Sequence, residues 1–189
     1  MAYPSKTDRA TILAAAVEQL DRQGLRSLSL RALAASLELA PNALYRYFAD
    51  RAALEEALAG EVSRILHASI LRIVRKAGPE QAIRGIARAY LAFARKHPNL
   101  YELLLLPCAP GQEKSAPRED LWIFFAGHVS SLTGPDHVEE ASMALWAFLH
   151  GIAQLEAAQV FSDQKPGPTL DFGLNAWLAA ASARSPQKS

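Results

Sequence analysis

A chain of 189 residues is long enough to hide roughly 70% of its unfolded surface, so it builds a core without disulfides or metals. Half of it is hydrophobic, a fifth is charged and only 8% is aromatic, a globular composition that excludes fibrous and disordered classes. Twenty basic against nineteen acidic side chains leave a net charge of +1, so no global field draws the chain to polyanions and any nucleic-acid contact must rest on local charge.

Apolar residues recur at helical spacing almost throughout, and no stretch alternates as a strand does, so the expected fold is all-α with about nine helices. The first helix is predicted to begin near Thr7, with Leu13, Ala16, Val17 and Leu20 on one face and Gly24 ending it. A second starts at Ser29, whose hydroxyl caps free N–H groups, and buries Leu30, Leu33, Ala34 and Leu37. A third starts at Pro41, which loses nothing at a first helical position, and runs to Phe48. Asp50 caps a fourth, about 39 Å long at 1.5 Å per residue from Arg51 to Lys76, carrying Leu54, Leu58, Val62, Ile65, Ile70 and Ile73. A helix that long reads as a strut from a small N-terminal domain, residues 1–52, to a larger one, residues 53–189. Helices are then expected over Pro79–Ala94, Asn99–Leu106, Arg118–Leu132, Pro135–Phe161 and Thr169–Ser182. Pro107–Pro117 is a loop, and the tail Arg184–Ser189 is expected to be disordered.

Several classes drop out on residue counts. The single cysteine, Cys108, excludes an internal disulfide framework and a cysteine-based zinc cluster. No apolar run approaches the ~18 residues of a membrane span, and the N-terminus MAYPSKTDRAT lacks the apolar core of a signal peptide. A soluble, cytoplasmic protein is expected. Glu55-Glu56 and Glu139-Glu140 are adjacent pairs whose carboxylates point to different helix faces and form no catalytic dyad. His128 and His137 lie across a Leu-Thr-Gly-Pro break, a poor metal spacing. No catalytic residues, metal or cofactor are therefore expected, and an enzyme is disfavoured.

The segments Ser29–Leu37 and Pro41–Phe48, separated only by Glu38-Leu39-Ala40, have the proportions of a helix-turn-helix. There the second helix enters the major groove. Asn42 can pair with adenine, Arg46 one turn on can fork onto guanine, and Pro41 and Tyr45 form a neighbouring ridge. No acidic residue stands between Leu39 and Ala49. Arg51 occupies the first turn of the fourth helix, where the dipole disfavours a cation and where a phosphate would meet both it and free N–H groups. Ser29 and Arg31 offer a second such place. The plainer alternative is that Tyr45 and Tyr47 pack while Asn42 and Arg46 are solvated. Spacing leaves both open, and residues 1–51 hold seven basic and five acidic side chains, not a basic stripe.

The run TILAAAVEQLDRQGLRSLSLRALAASLELAPNALYRYFADRAALEEAL, Thr11 to Leu58, resembles the DNA-binding domain of TetR-type transcriptional repressors. Gly24, the Ser-Leu-Arg opening of helix two and Ala43-Leu44-Tyr45-x-x-Phe48-x-x-Arg51 carry the likeness. It implies a homodimer that binds a near-palindromic double-stranded operator and releases it when a small molecule enters the C-terminal domain. It also implies that Tyr45 and Arg51 hold phosphates while Pro41, Asn42 and Arg46 lie nearest the bases; Tyr47 completes the candidate DNA-binding set with Ser29 and Arg31. Two departures stand out. Glu38 occupies the place of the family's usual turn glycine, and Ala40 that of a serine or threonine cap.

Trp146-Ala-Phe-Leu-His150-Gly151 resembles the Trp-x-x-x-His-Gly signature of the WHG type of C-terminal domain. Trp146 and His150 are neighbours on one helical face and either frame a ligand cavity or pack as a core pair. Tyr90, Phe93, Tyr101, Leu104, Trp122, Phe125, Trp146 and His150 are the candidate ligand-binding residues, with core filling as the alternative for each. The absence of an inward arginine cluster points to a mainly apolar effector. The alanine-rich last two helices suit a four-helix dimer seam. The rival to a ligand-controlled repressor is a helical interaction module without DNA binding.

Overall fold

A computed structural model describes residues 8–161 and 166–184; the side chains of Ser27 and Pro41 lie outside the description, as does the tail beyond Arg184. Among the described residues the fold is all-helical. Nine α-helices run in order: α1 (Arg9–Gln23), α2 (Leu30–Ser36), α3 (Pro41–Leu44), α4 (Arg51–Val74), α5 (Pro79–Lys96), α6 (Pro98–Leu104), α7 (Ala116–Thr133), α8 (Val138–Ala157) and α9 (Gly167–Ser182). Single 3-10 turns fill Leu25–Ser27 and Pro135–His137.

Packing divides the chain into two compact units. The first combines residues up to Ile65 with His97–Glu119, and the second combines Leu66–Lys96 with the chain from Asp120 onward. This grouping differs from a cut at residue 52 because the chain returns after α5. α4 contributes its first fifteen residues to one unit and the rest to the other.

In the first unit, Asp8 caps α1 by accepting from the Thr11 N–H at 2.8 Å. The buried stripe of α1 is Ile12, Ala16 and Leu20, with Leu13 and Val17 half-buried. The expected set of Leu13, Ala16, Val17 and Leu20 is thus rotated by a fraction of a turn, and Ile12 replaces Leu13 at its centre. Gly24 closes the helix at φ 77°, a conformation a β-carbon resists. Its open side faces Asn99, whose Oδ1 a β-carbon would meet at 3.3 Å. α6 packs on α1. Asp21 joins them, its Oδ2 paired with His97 Nδ1 at 2.8 Å and its carbonyl accepting from Asn99 Nδ2 at 2.9 Å. The proline of His97-Pro98 supplies the first position of α6, which is why the chain turns back there.

α4 buries Leu54, Leu58, Val62, Leu66, Ile70 and Val74 at every fourth position, together with Glu56, Ala57, Ala59 and Ser63. Ile65 is half-buried and Ile73 is 54% exposed, so the expected stripe drifts off by its last two turns, where Leu66 and Val74 take over. In the second unit α5 packs on α8, and α8 on α9. Gly173 of α9 lies so close to the Phe148 ring of α8 that any β-carbon would collide with it. The single helix expected over Pro135–Phe161 is instead a 3-10 turn followed by α8, since Gly134 at φ 78° and Pro135 delay the first full turn.

Candidate nucleic-acid interface

The geometry of α2 and α3 is set by how α2 ends. The Leu39 N–H donates to Ala34 O at 2.9 Å and the Glu38 N–H to Ala35 O at 3.1 Å, the paired bonds of a Schellman motif. That motif needs a left-handed residue, and here it is Glu38, at φ 54°. An L side chain pays roughly 1–2 kcal/mol for this conformation. The substitution of glutamate for glycine therefore leaves the turn geometry in place and loads it with strain. Leu39 is half-buried. Ala40 is extended and provides no side-chain cap, while Pro41 pre-sets the first turn of α3.

α3 is shorter than expected. Regular α-helix ends at Leu44, and residues 45–47 continue as turns, with the Arg46 N–H donating to Ala43 O and the Tyr47 N–H to Leu44 O. Leu44 and Phe48 are buried and anchor this element. Asn42 and Arg46 are exposed, and Tyr45 is 54% exposed. Tyr47 is half-buried, placed more as a support than as a reader. Arg9 caps the other side of the anchor, its guanidinium 5.2 Å from the Phe48 ring centre.

The flanking groups are less free than the sequence suggests. Ser29 Oγ accepts from the Ala32 N–H at 3.4 Å, so its hydroxyl is a helix cap; Arg31 is exposed. Asp50 caps α4 by accepting from the Ala53 N–H at 2.7 Å. Arg51 is not an uncompensated cation at a helix start: its Nε donates to Glu55 Oε1 at 2.7 Å, and its side chain is 57% exposed. Such a surface pair is worth about 0.3–0.5 kcal/mol, little enough for a phosphate to displace the carboxylate.

Behind Arg51, the returning segment 105–118 grips α4 through a buried ionic cluster that sequence reasoning missed. Glu56 accepts from the Ser115 N–H at 2.7 Å, from Arg118 Nη1 at 2.6 Å and from the Cys108 thiol at 3.3 Å. Arg118 Nη2 also donates to Leu106 O at 2.7 Å. Burial opposes the charge on Glu56, but the Ser115, Cys108 and Arg118 hydrogen bonds outweigh it and hold its carboxyl below the ordinary value of 4.5. Burial and then Glu56 push the Cys108 thiol up, making it a poor nucleophile. Glu55 and Glu56 thus serve different partners, as their positions on the helix require.

In the second unit, Trp146 Nε1 donates to the Tyr90 hydroxyl at 3.2 Å. Trp122 meets Trp146 edge-on at 6.4 Å and Phe125 at 5.8 Å, and His150 lies 6.3 Å from the Trp146 ring. Tyr90, Trp122, Phe125, Trp146 and His150 therefore gather in one cluster. Tyr90, Phe93 and Phe125 are buried, Trp146 and His150 half-buried, and Trp122 39% exposed. Tyr101 and Leu104 sit on α6 in the first unit, Tyr101 buried and Leu104 half-buried, because the break at Pro98 sends that helix back to α1. Among the described residues, no group of His, Cys, Asp and Glu could hold a metal ion, and no helix is long and apolar enough to cross a membrane.

A helical protein with a short exposed reading helix set on a three-helix head has the architecture of a transcription regulator. Comparison with known proteins agrees. Residues 12–58 match the bacterial regulatory proteins of the tetR family, and residues 83–176, which span Trp146 to Gly151, match the Tetracyclin repressor-like C-terminal domain. The chain belongs to the TetR family and is a TetR-family transcriptional regulator. It is 26% identical over 166 residues to the HTH-type transcriptional regulator Rv0681 of Mycobacterium tuberculosis, covering 86% of this chain and 76% of that one. Among solved structures, BioQ with its double-stranded DNA operator has a TM-score of 0.67 at 24% identity, covering 94% and 99% of the two chains. TetR-Q116A from Acinetobacter baumannii in complex with minocycline has a TM-score of 0.72 at 21% identity, covering 95% and 99%. These two likenesses establish a shared fold.

Proposed function

We propose that this regulator is a repressor that binds a near-palindromic operator as a homodimer and is released by a small, mainly apolar effector. The observation that carries the DNA contact is the exposure of Tyr45, a large aromatic held at 54% exposure by its anchored neighbours Leu44 and Phe48. A free phenol at that place, with Asn42 and Arg46 beside it, is wasted surface unless something flat and charged covers it. In this reading the DNA-binding part ends near residue 52. Tyr45, Arg51, Ser29 and Arg31 meet phosphates, Asn42, Arg46 and Pro41 meet base edges, and Tyr47 supports them.

Dimerisation is supported by apolar surface on the last two helices. Phe172 is 80% exposed, Met143 47% and Leu155 45%. A twofold seam there would fix the spacing of two reading helices, which must match successive major-groove faces about 34–36 Å apart or a related distance. Within the second unit the effector is assigned to the cluster of Tyr90, Trp122, Phe125, Trp146 and His150, with Phe93 on the same helix as Tyr90, an apolar set with few polar groups. Release is then a population shift, limited by the effector's differential affinity for DNA-fitting and misfitting forms. The kinship with an operator-bound BioQ and a minocycline-bound TetR supports both halves of this reading.

Selection of bound fragments from sheared genomic DNA, followed by a salt titration, tests it. Log affinity is expected to fall with log salt at a slope of about −0.9 per phosphate neutralised. No retained fragment at low ionic strength, or a monomer by sedimentation at micromolar concentration, refutes it and leaves a helical interaction module.

A further inference from the structure

A cavity of about 270 Å³ opens in the first unit between the first turns of α4 and the loop over residues 106–112. Its size falls just under the usual range for ligand sites, which begins near 300 Å³, so its occupant is small. Ala52, Ala59, Leu106 and Pro110 give it apolar walls, Glu55 and Glu56 are its acidic groups, and no lysine or arginine lines it. The two carboxylates differ. Glu56 is spent on Ser115, Arg118 and Cys108. Among the described residues Glu55 is engaged only by the exposed, weak pair with Arg51, and an ionised carboxylate has room for several donors.

We infer that this cavity is a binding site for a small organic cation, an apolar body carrying one ammonium group that pairs with Glu55. The coupling rests on the DNA-binding role proposed for Arg51. A cation that shares the Glu55 carboxylate with Arg51 Nε neutralises it and weakens that pair, so it loosens the arginine for a phosphate and adds one positive charge beside the DNA. Both effects have the same sign. The occupant therefore tightens operator binding, the opposite of the releasing effector assigned to the second unit.

The test uses the full-length protein with n-hexylammonium as probe and hexan-1-ol as its uncharged counterpart, each titrated against amide NMR signals of residues 52–59 and 106–112 without DNA. Saturable shifts with the amine, at least tenfold weaker binding of the alcohol, and a tenfold loss in Glu55→Gln are expected. Ala109→Trp, which fills the cavity, is expected to remove the shifts. Equal binding of amine and alcohol, an unaltered affinity in Glu55→Gln, or no saturable shift overturns the site. In a separate arm, saturating amine is compared with equal sodium chloride in an operator-binding assay, where a severalfold gain in affinity is expected in the parent protein and none in Glu55→Gln. An unchanged or lowered affinity overturns the coupling alone. A protein that binds no DNA overturns the role of Arg51, and the amine titration still decides the cavity.

Discussion

Replacing Glu56 by alanine removes the acceptor of three donors at once and leaves the Arg118 guanidinium, whose side chain is 11% exposed, with the Leu106 carbonyl and the weakly accepting Cys108 sulfur at 3.6 Å but no counter-ion. Breaking a buried pair from one side costs about 3–5 kcal/mol because a charge stays buried without its counter-ion. Whole domains are stable by only about 5–15 kcal/mol, so a large fraction of the total is at stake. With a urea slope of about 2 kcal/mol/M, the midpoint of unfolding by circular dichroism should fall on the order of 2 M. Glu56→Gln keeps the shape and an acceptor for the Ser115 N–H and should fall between. The double replacement Glu56→Leu with Arg118→Leu should recover most of the loss, since two apolar groups leave no orphaned charge. The carboxyl is depressed in the folded state, so its contribution is present above its ordinary value of 4.5 and is lost as pH falls below that through the folded value; Glu56→Gln should flatten that acid limb. A Glu56→Ala loss below about 1 kcal/mol, the size of a surface pair, would refute the account of the 105–118 segment as an ionic clamp.

Tyr45→Phe and Arg51→Ala should weaken binding to all DNA sequences alike in an anisotropy titration, whereas Arg46→Ala should also relax sequence preference; equal discrimination by the three variants removes the base-reading role of Arg46. Glu38→Gly should raise stability by about 0.5–1 kcal/mol in urea unfolding, as relief of the left-handed strain exceeds the extra chain entropy of glycine. Burial holds the His128 imidazole below its ordinary 6.5, beside Phe124 at 4.7 Å. Below pH 6.5 the unfolded chain therefore gains a proton that the folded chain refuses, and stability declines toward the folded value. His128→Phe should lessen that decline in thermal melts. Gly173→Ala should cost about 1–3 kcal/mol by forcing Phe148 aside, read as a lowered melting temperature.

Much of the head was legible because its signals are local. Ser29 and Asp50 announce helix starts through their own hydrogen bonds, Gly24 an ending, and Pro41 a first turn. The spacing of Leu44 and Phe48 sets which side of α3 is buried. The departures at the turn, Glu38 and Ala40, are also visible, though not that Glu38 bears the left-handed backbone itself. What sequence could not show were pairings across long separations. Glu56 meets Ser115 and Arg118 some sixty residues away, and nothing in Ala-Leu-Glu-Glu-Ala marks one of two adjacent glutamates as buried. Likewise nothing local to Tyr101 shows that α6 returns to α1 and belongs to the first unit. The last turns of α4 depart from the expected stripe because a helix that passes from one set of neighbours to another changes its buried face along the way.

The discontinuous first unit has a consequence for how the protein is made. α1 emerges from the ribosome 78 residues before Asn99, the partner that ties Asp21 to α6, and at roughly 5–20 residues per second it waits on the order of ten seconds. During that interval Asp21 and Gly24 lack the Asn99 side chain that they meet in the finished fold. A chain terminated in that interval therefore carries α1 without α6, and its uncovered apolar flanks are left for proteases to clear.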